Sequence, residues 1–81
     1  MKIRLLYFAV LRDITGKSEE VVELPEGTRA IQIWSRLREK HAQLAGYERP
    51  PMTAVNEEYV DAASLLRDGD EVAFIPPVAG G

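Results

Sequence analysis

Ile3, Leu5 and Tyr7 alternate with Lys2, Arg4, Leu6 and Phe8 at the start of the chain. Successive side chains of an extended chain point to opposite sides, so this alternation predicts a strand from Lys2 to Ala9. One face is apolar throughout. The other begins charged and turns apolar at Leu6 and Phe8, which predicts burial on one face and partial burial on the other. Val10 to Ile14 fit a short helical turn closed by Gly16. Glu19 to Leu24, rich in valine, predict a second strand near enough to pair with the first, and Pro25-Glu26-Gly27 a turn. The period then changes. Ala30, Ile33, Trp34, Leu37, His41 and Leu44 recur at spacings of three and four, which lines them along one helical stripe. Thr28 is the predicted N-cap, since its hydroxyl can accept an orphan backbone N–H. Arg36, Arg38, Glu39 and Lys40 fall largely off the stripe. The stripe therefore reads as a core face, anchored by Trp34, with His41 partly wet at its end.

Gly46 to Pro51 read as a loop and Thr53 to Asn56 as a short strand. Asn56-Glu57-Glu58 form a predicted turn into a second short strand at Tyr59-Val60. Ser64 to Leu66 make another turn, and Asp68-Gly69-Asp70 reverse the chain. Glu71 to Ile75 are the last strand, with Val72 and Phe74 on one face and Ala73 and Ile75 on the other. Pro76 and Pro77 lack backbone donors and end it. A helix packed across one face of a small mixed sheet satisfies this order. The first strand, apolar on both faces, belongs in the centre, with the last strand beside it and parallel. The fold class expected is α+β, a ubiquitin-like β-grasp, with a domain over 1–75 and a functional tail over 76–81.

Composition narrows the function. At 81 residues there is room for one domain and one modest core. A net charge of −3 with scattered basic residues argues against a nucleic-acid binder. The absence of cysteine removes disulfides, thiolate metal sites and a thiol nucleophile, and a single His41 argues against zinc, so no metal site is expected. The charges at Lys2 and Arg4 interrupt the N-terminal apolar run, which reads as neither signal peptide nor membrane span. A cytoplasmic location is the expectation.

The chain closes on Val78-Ala79-Gly80-Gly81, and Val72 to Gly81 carry no charged side chain. This predicts a slim neutral arm with an unshielded carboxylate, able to thread into another protein's active site. Glycine also tolerates backbone angles that a narrow tunnel can demand. The plainer alternative is a frayed terminus. Strand parity predicts a docking surface beside the arm. If Lys2 and Arg4 point to solvent, Leu6 and Phe8 share their face, as do Ala73 and Ile75, with Tyr59 near. An exposed apolar patch of that kind commonly marks an interface. The competing expectation is that loops or the segment Ala42–Pro51 cover it. Arg12 and Asp13 are candidates for polar rim contacts or for a local salt bridge.

Three stretches resemble the molybdopterin synthase small-subunit family. They are Asp68-Gly69-Asp70-Glu71-Val72-Ala73-Phe74-Ile75-Pro76-Pro77-Val78-Ala79-Gly80-Gly81, the first strand followed by Phe8-Ala9-x-x-Arg12-Asp13-x-x-Gly16, and Ala54-Val55-Asn56-Glu57-Glu58-Tyr59-Val60. They stand in the family's order and cover most of the chain. Asp13 stands where the family often has Glu, with charge retained, and Ala42 to Pro51 match no pattern. The resemblance implies a sulfur carrier. An ATP-dependent adenylating enzyme would activate the Gly81 carboxylate, which then becomes a thiocarboxylate. The tail would enter a large subunit, in a heterotetramer, and donate sulfur to a cyclic pterin precursor to build a dithiolene. Gly81 would carry the chemistry and Gly80 would give access. Phe8, Arg12, Tyr59, Ile75, Pro76, Pro77 and Val78 would bind the partner. Catalytic residues would lie on the large subunit, and this chain would bind no cofactor, the ATP being used by the activating partner. Three other readings stand beside it: the thiamine-pathway sulfur carrier, a ubiquitin-like modifier joined to lysines, and a plain β-grasp interaction domain with an inert tail.

Overall fold

Residues 1–47 and 51–75 are described in a computed structural model. The predicted alternation at the N-terminus forms β1 (Lys2–Tyr7), with Ile3, Leu5 and Tyr7 buried. The strand ends one residue before Phe8, which is extended and precedes α1 (Ala9–Thr15). Gly16 closes that helix in the left-handed region at φ 78°, donating its N–H to Arg12 O at 2.9 Å. β2 (Glu19–Glu23) returns antiparallel to β1.

The main helix α2 (Ala30–Lys40) buries Ala30, Ile33, Trp34 and Leu37, four members of the predicted stripe. Its ends differ from the expectation. Arg29, not Thr28, is the N-cap. The Thr28 hydroxyl donates backward to Pro25 O at 2.7 Å and holds the preceding turn. The Arg29 N–H donates to Gln32 Oε1 at 2.7 Å, so a side chain one turn ahead satisfies the helix start. At the other end the helix stops before His41, which is extended and half-buried. Leu44 reaches the core from a separate 3₁₀ turn, Ala42–Leu44. The three-and-four spacing survives across the break, so periodicity alone could not reveal it.

β3 (Met52–Val55) and β4 (Glu58–Val60) form a hairpin, and β5 (Glu71–Ile75) follows. The sheet order is β2-β1-β5-β3-β4. β5 pairs parallel with β1, as predicted, and antiparallel with β3. The middle strand of the five is therefore β5, with β1 beside it. Val72 and Phe74 point to the helix side and are buried with Trp34, whose ring lies 5.4 Å from that of Phe74. Full burial of such side chains stabilises the fold by roughly 1.5–3 kcal/mol each.

Hydrogen bonds tie two turns and the start of β1 together at one end of the sheet. Asn56 and Glu57 take positive φ, 52° and 70°, in the tight turn between β3 and β4. The Asn56 amide donates to Asp70 Oδ1 at 2.9 Å and its oxygen accepts the Glu71 N–H at 3.0 Å. Asp70 also accepts the Arg67 N–H, and Asp68 accepts the N–H of Lys2. Gly69, at φ 87°, donates its N–H to Lys2 O. The Asp68-Gly69-Asp70 reversal thus fastens β1, β3 and β5 in register.

Candidate functional site

Register places the outer-face residues in rows across the sheet, on the side away from α2. Leu6 lies beside Ala73, Ala73 beside Ala54, and Ala54 beside Tyr59. The next row pairs Ile75 with Met52, and Phe8 extends it past the end of β1. The row on the other side pairs Arg4 with Glu71 in a 3.4 Å ion pair, which is half exposed at Arg4 and worth about 0–1 kcal/mol.

The two alanines make a floor because their side chains are short. Around them Leu6, Phe8, Ile75 and Tyr59 stand up as walls, and the result is a groove of about 240 Å³. Phe8 is 49% exposed, Tyr59 66% and Met52 57%, so large apolar surfaces meet water here. Ala42–Tyr47 do not cover them. Leu44 is buried in the core, and Tyr47 sets its ring edge-on to Trp34 on the helix side. Ile75 stands at the groove's end, and the chain continues from it into 76–81.

Phe8, Tyr59 and Ile75 are thus brought together. Arg12 is exposed on α1, does not line the groove, and makes no ion pair with Asp13 among the described residues. Pro76, Pro77, Val78, Gly80 and Gly81 lie outside the described residues. Ala54 and Met52 were missed by sequence reasoning. Their signal was the parity of β3, obscured because a strand of four residues carries little alternation. Among the described residues no group of three His, Cys, Asp or Glu could hold a metal. No described helix is long and apolar enough to cross a membrane.

A mixed five-strand sheet with one principal helix across a single face defines an α+β protein of the ubiquitin-like β-grasp class. The ThiS family model matches residues 5–81, and the chain belongs to that family. A Homo sapiens protein named molybdopterin synthase sulfur carrier subunit is 37% identical over 83 residues, covering 99% of this chain and 94% of its own length. A Pyrococcus furiosus structure named for molybdopterin converting factor, subunit 1, is 31% identical at a TM-score of 0.78, with 96% of this chain and 99% of that chain covered. The small archaeal modifier protein 1 from Methanosarcina acetivorans superposes at a TM-score of 0.76 and 24% identity, covering 99% of this chain and 96% of that one. At that identity the likeness speaks to the fold alone.

Proposed function

We propose that this chain is the sulfur-carrying small subunit of a molybdopterin synthase. The observation that carries the reading is the likeness, at 37% identity and nearly full length, to a sulfur carrier subunit of that enzyme. The groove supports it, because an open apolar recess at the start of the tail is where a larger partner can grip the domain while the tail enters its active site. The division into a domain over 1–75 and a functional tail over 76–81 belongs to this proposal.

The chemistry assigned to the tail is acyl activation followed by sulfur transfer. A Gly81 carboxylate oxygen attacks the α-phosphorus of ATP and pyrophosphate leaves. A hydrosulfide-level sulfur then attacks the acyl carbon and displaces AMP, leaving a thiocarboxylate. Its sulfur attacks a carbon of the pterin precursor and displaces an oxygen leaving group from it. Water then cleaves the thioester so formed, leaving the sulfur on the pterin and returning the Gly81 carboxylate. General acids and bases must come from the partners, since the tail has none. Gly80 and Gly81 suit passage through a confined site because no side chain stands beside the reacting carbon. On this reading ATP is consumed by the activating enzyme and not held by this chain, and a cytoplasmic location belongs to the same proposal.

The test is an intact mass of the chain from cells that contain the activating enzyme. A fraction should be heavier by the difference between sulfur and oxygen, and that fraction should react with a thiol-directed alkylating reagent. The sequence has no cysteine, so no encoded thiol competes. Deleting Gly81 should abolish the reaction. Gly81 found in isopeptide linkage to many lysines, with no sulfur-bearing form, would favour a protein modifier instead.

A further inference from the structure

The helix side of the sheet carries a second recess that the sulfur-carrier reading does not use. It runs between β2 and α2 and measures about 460 Å³. Leu5 and Val22 from the sheet and Ile33 and Leu37 from α2 form its apolar floor. Lys17, Arg36 and Lys40 stand exposed around it. Its two acidic residues are already engaged. Glu20 accepts the Tyr7 hydroxyl at 2.6 Å and pairs with Lys17 at 3.6 Å, and Glu23 lies 3.7 Å from the N-terminal ammonium. Arg36 and Lys40 make no ion pair among the described residues.

β2 is also an outer strand of the sheet. Tyr7 N–H donates to Ser18 O, and Leu24 N–H donates to Met1 O. Hydrogen-bonded pairs alternate along an antiparallel ladder, so Glu20 and Val22 also face β1, opposite Leu5 and Ile3. The backbone groups of Glu19, Val21 and Glu23 therefore face away from the sheet, and no backbone partner meets them among the described residues. An open strand edge beside an apolar, basic-rimmed recess is a template for strand addition.

We propose that this edge and recess bind an extended peptide segment of a partner protein as a sixth strand. Charge sets its pattern. Residues facing the recess are apolar, with an acidic residue at the end that meets Arg36 and Lys40, which stand one helical turn apart on α2. Residues on the opposite face are basic or neutral, because they lie beside the exposed Glu19 and Glu23. A second copy of the chain fits poorly. Antiparallel pairing centred on Val21 would set Glu19 of one copy against Glu23 of the other, and directly opposed like charges destabilise a strand pair. The site lies off the outer face, so a partner seated on the groove at Ile75 leaves it open.

The probe is a nine-residue peptide in which lysines alternate with three central valines closed by an aspartate at each end, so that one aspartate meets Arg36 and Lys40 in either strand direction. Titrated into the isotope-labelled full chain, it should give saturable amide shifts at Glu19, Val21 and Glu23 and along Ile33 to Lys40. A scrambled peptide of the same composition should give none. Val21→Pro removes an outward N–H without removing a β1–β2 hydrogen bond, a change tolerated on an edge strand, and should weaken binding at least tenfold. Lys40→Glu leaves the backbone untouched and should weaken it severalfold, so it carries the test even if the proline variant fails to fold. Shifts confined to the region of Phe8 and Tyr59, no saturable shift, or a folded Lys40→Glu variant that binds like the parent would overturn the proposal. So would a concentration-dependent dimer that the peptide does not displace.

Discussion

Tyr7 and Tyr59 show how one residue type serves two ends. Tyr7 is 1% exposed and its hydroxyl donates to Glu20. Burial first, then the hydrogen bond and charge of Glu20, push the phenol well above its ordinary value of 10.0. The unfolded chain releases this proton near pH 10 while the folded chain retains it. The stabilising contribution is therefore complete below that pH and is lost as pH rises towards the folded value. Denaturant melts should show stability falling from about pH 10 upward. Tyr7→Phe should flatten that limb and cost about 1 kcal/mol at neutral pH. An unchanged alkaline limb in the variant would assign the loss to other groups. Tyr59, by contrast, is two-thirds exposed in the wall of the outer groove. Tyr59→Ala should move stability by no more than about 0.5 kcal/mol. If Tyr59 is a hot spot it should cost about 2 kcal/mol in binding to the large subunit, read by calorimetric titration.

Elements with many repeats of their own period could be read from the residues. β1 and β5 could be assigned with their inward faces, and so could the stripe of α2, because each residue there is placed by its own alternation. The outer face follows from the same parity, which makes Phe8, Tyr59 and Ile75 legible as neighbours. The termini of α2 were not legible. Whether Thr28 or Arg29 begins the helix depends on Gln32 and Pro25, and the break at His41 preserves the spacing to Leu44. The Asp68-Gly69-Asp70-Glu71 run reads as a reversal and a family mark, but its role in fixing β1 and β3 is not legible, since its partners Lys2 and Asn56 are remote in sequence. Asp70→Ala leaves the Arg67 N–H and the Asn56 amide without that acceptor. It should lower stability by about 1–2 kcal/mol. Gly69→Ala forces a side chain into φ 87° and should cost about 1–2 kcal/mol. Chemical denaturation of each variant measures both, and wild-type midpoints would remove the loop from the account of register.

At the scale of the molecule, stability and the proposed chemistry occupy different residues. The core is made by β1, β5 and α2, whereas the reacting group is assigned to Gly81. A chain lacking Gly81 should melt at the parent temperature and yet transfer no sulfur in a reconstituted synthase assay. Dithiolene formation by that shortened chain would refute the carrier reading. The strand order carries one more consequence. β1 with β2, and β3 with β4, are two antiparallel pairs that share no ladder, and only β5 joins them. β5 is also later in the chain than all four. During synthesis the two half-sheets must wait, each with an open edge, for a strand that pairs across about 67 residues to β1, a separation that favours slow closure. A chain ending at Asp70 should therefore show no cooperative melt. On the proposed carrier reading, β5 both closes the sheet and leads into 76–81, so a chain whose sheet has not closed does not present the outer groove beside that segment to a partner.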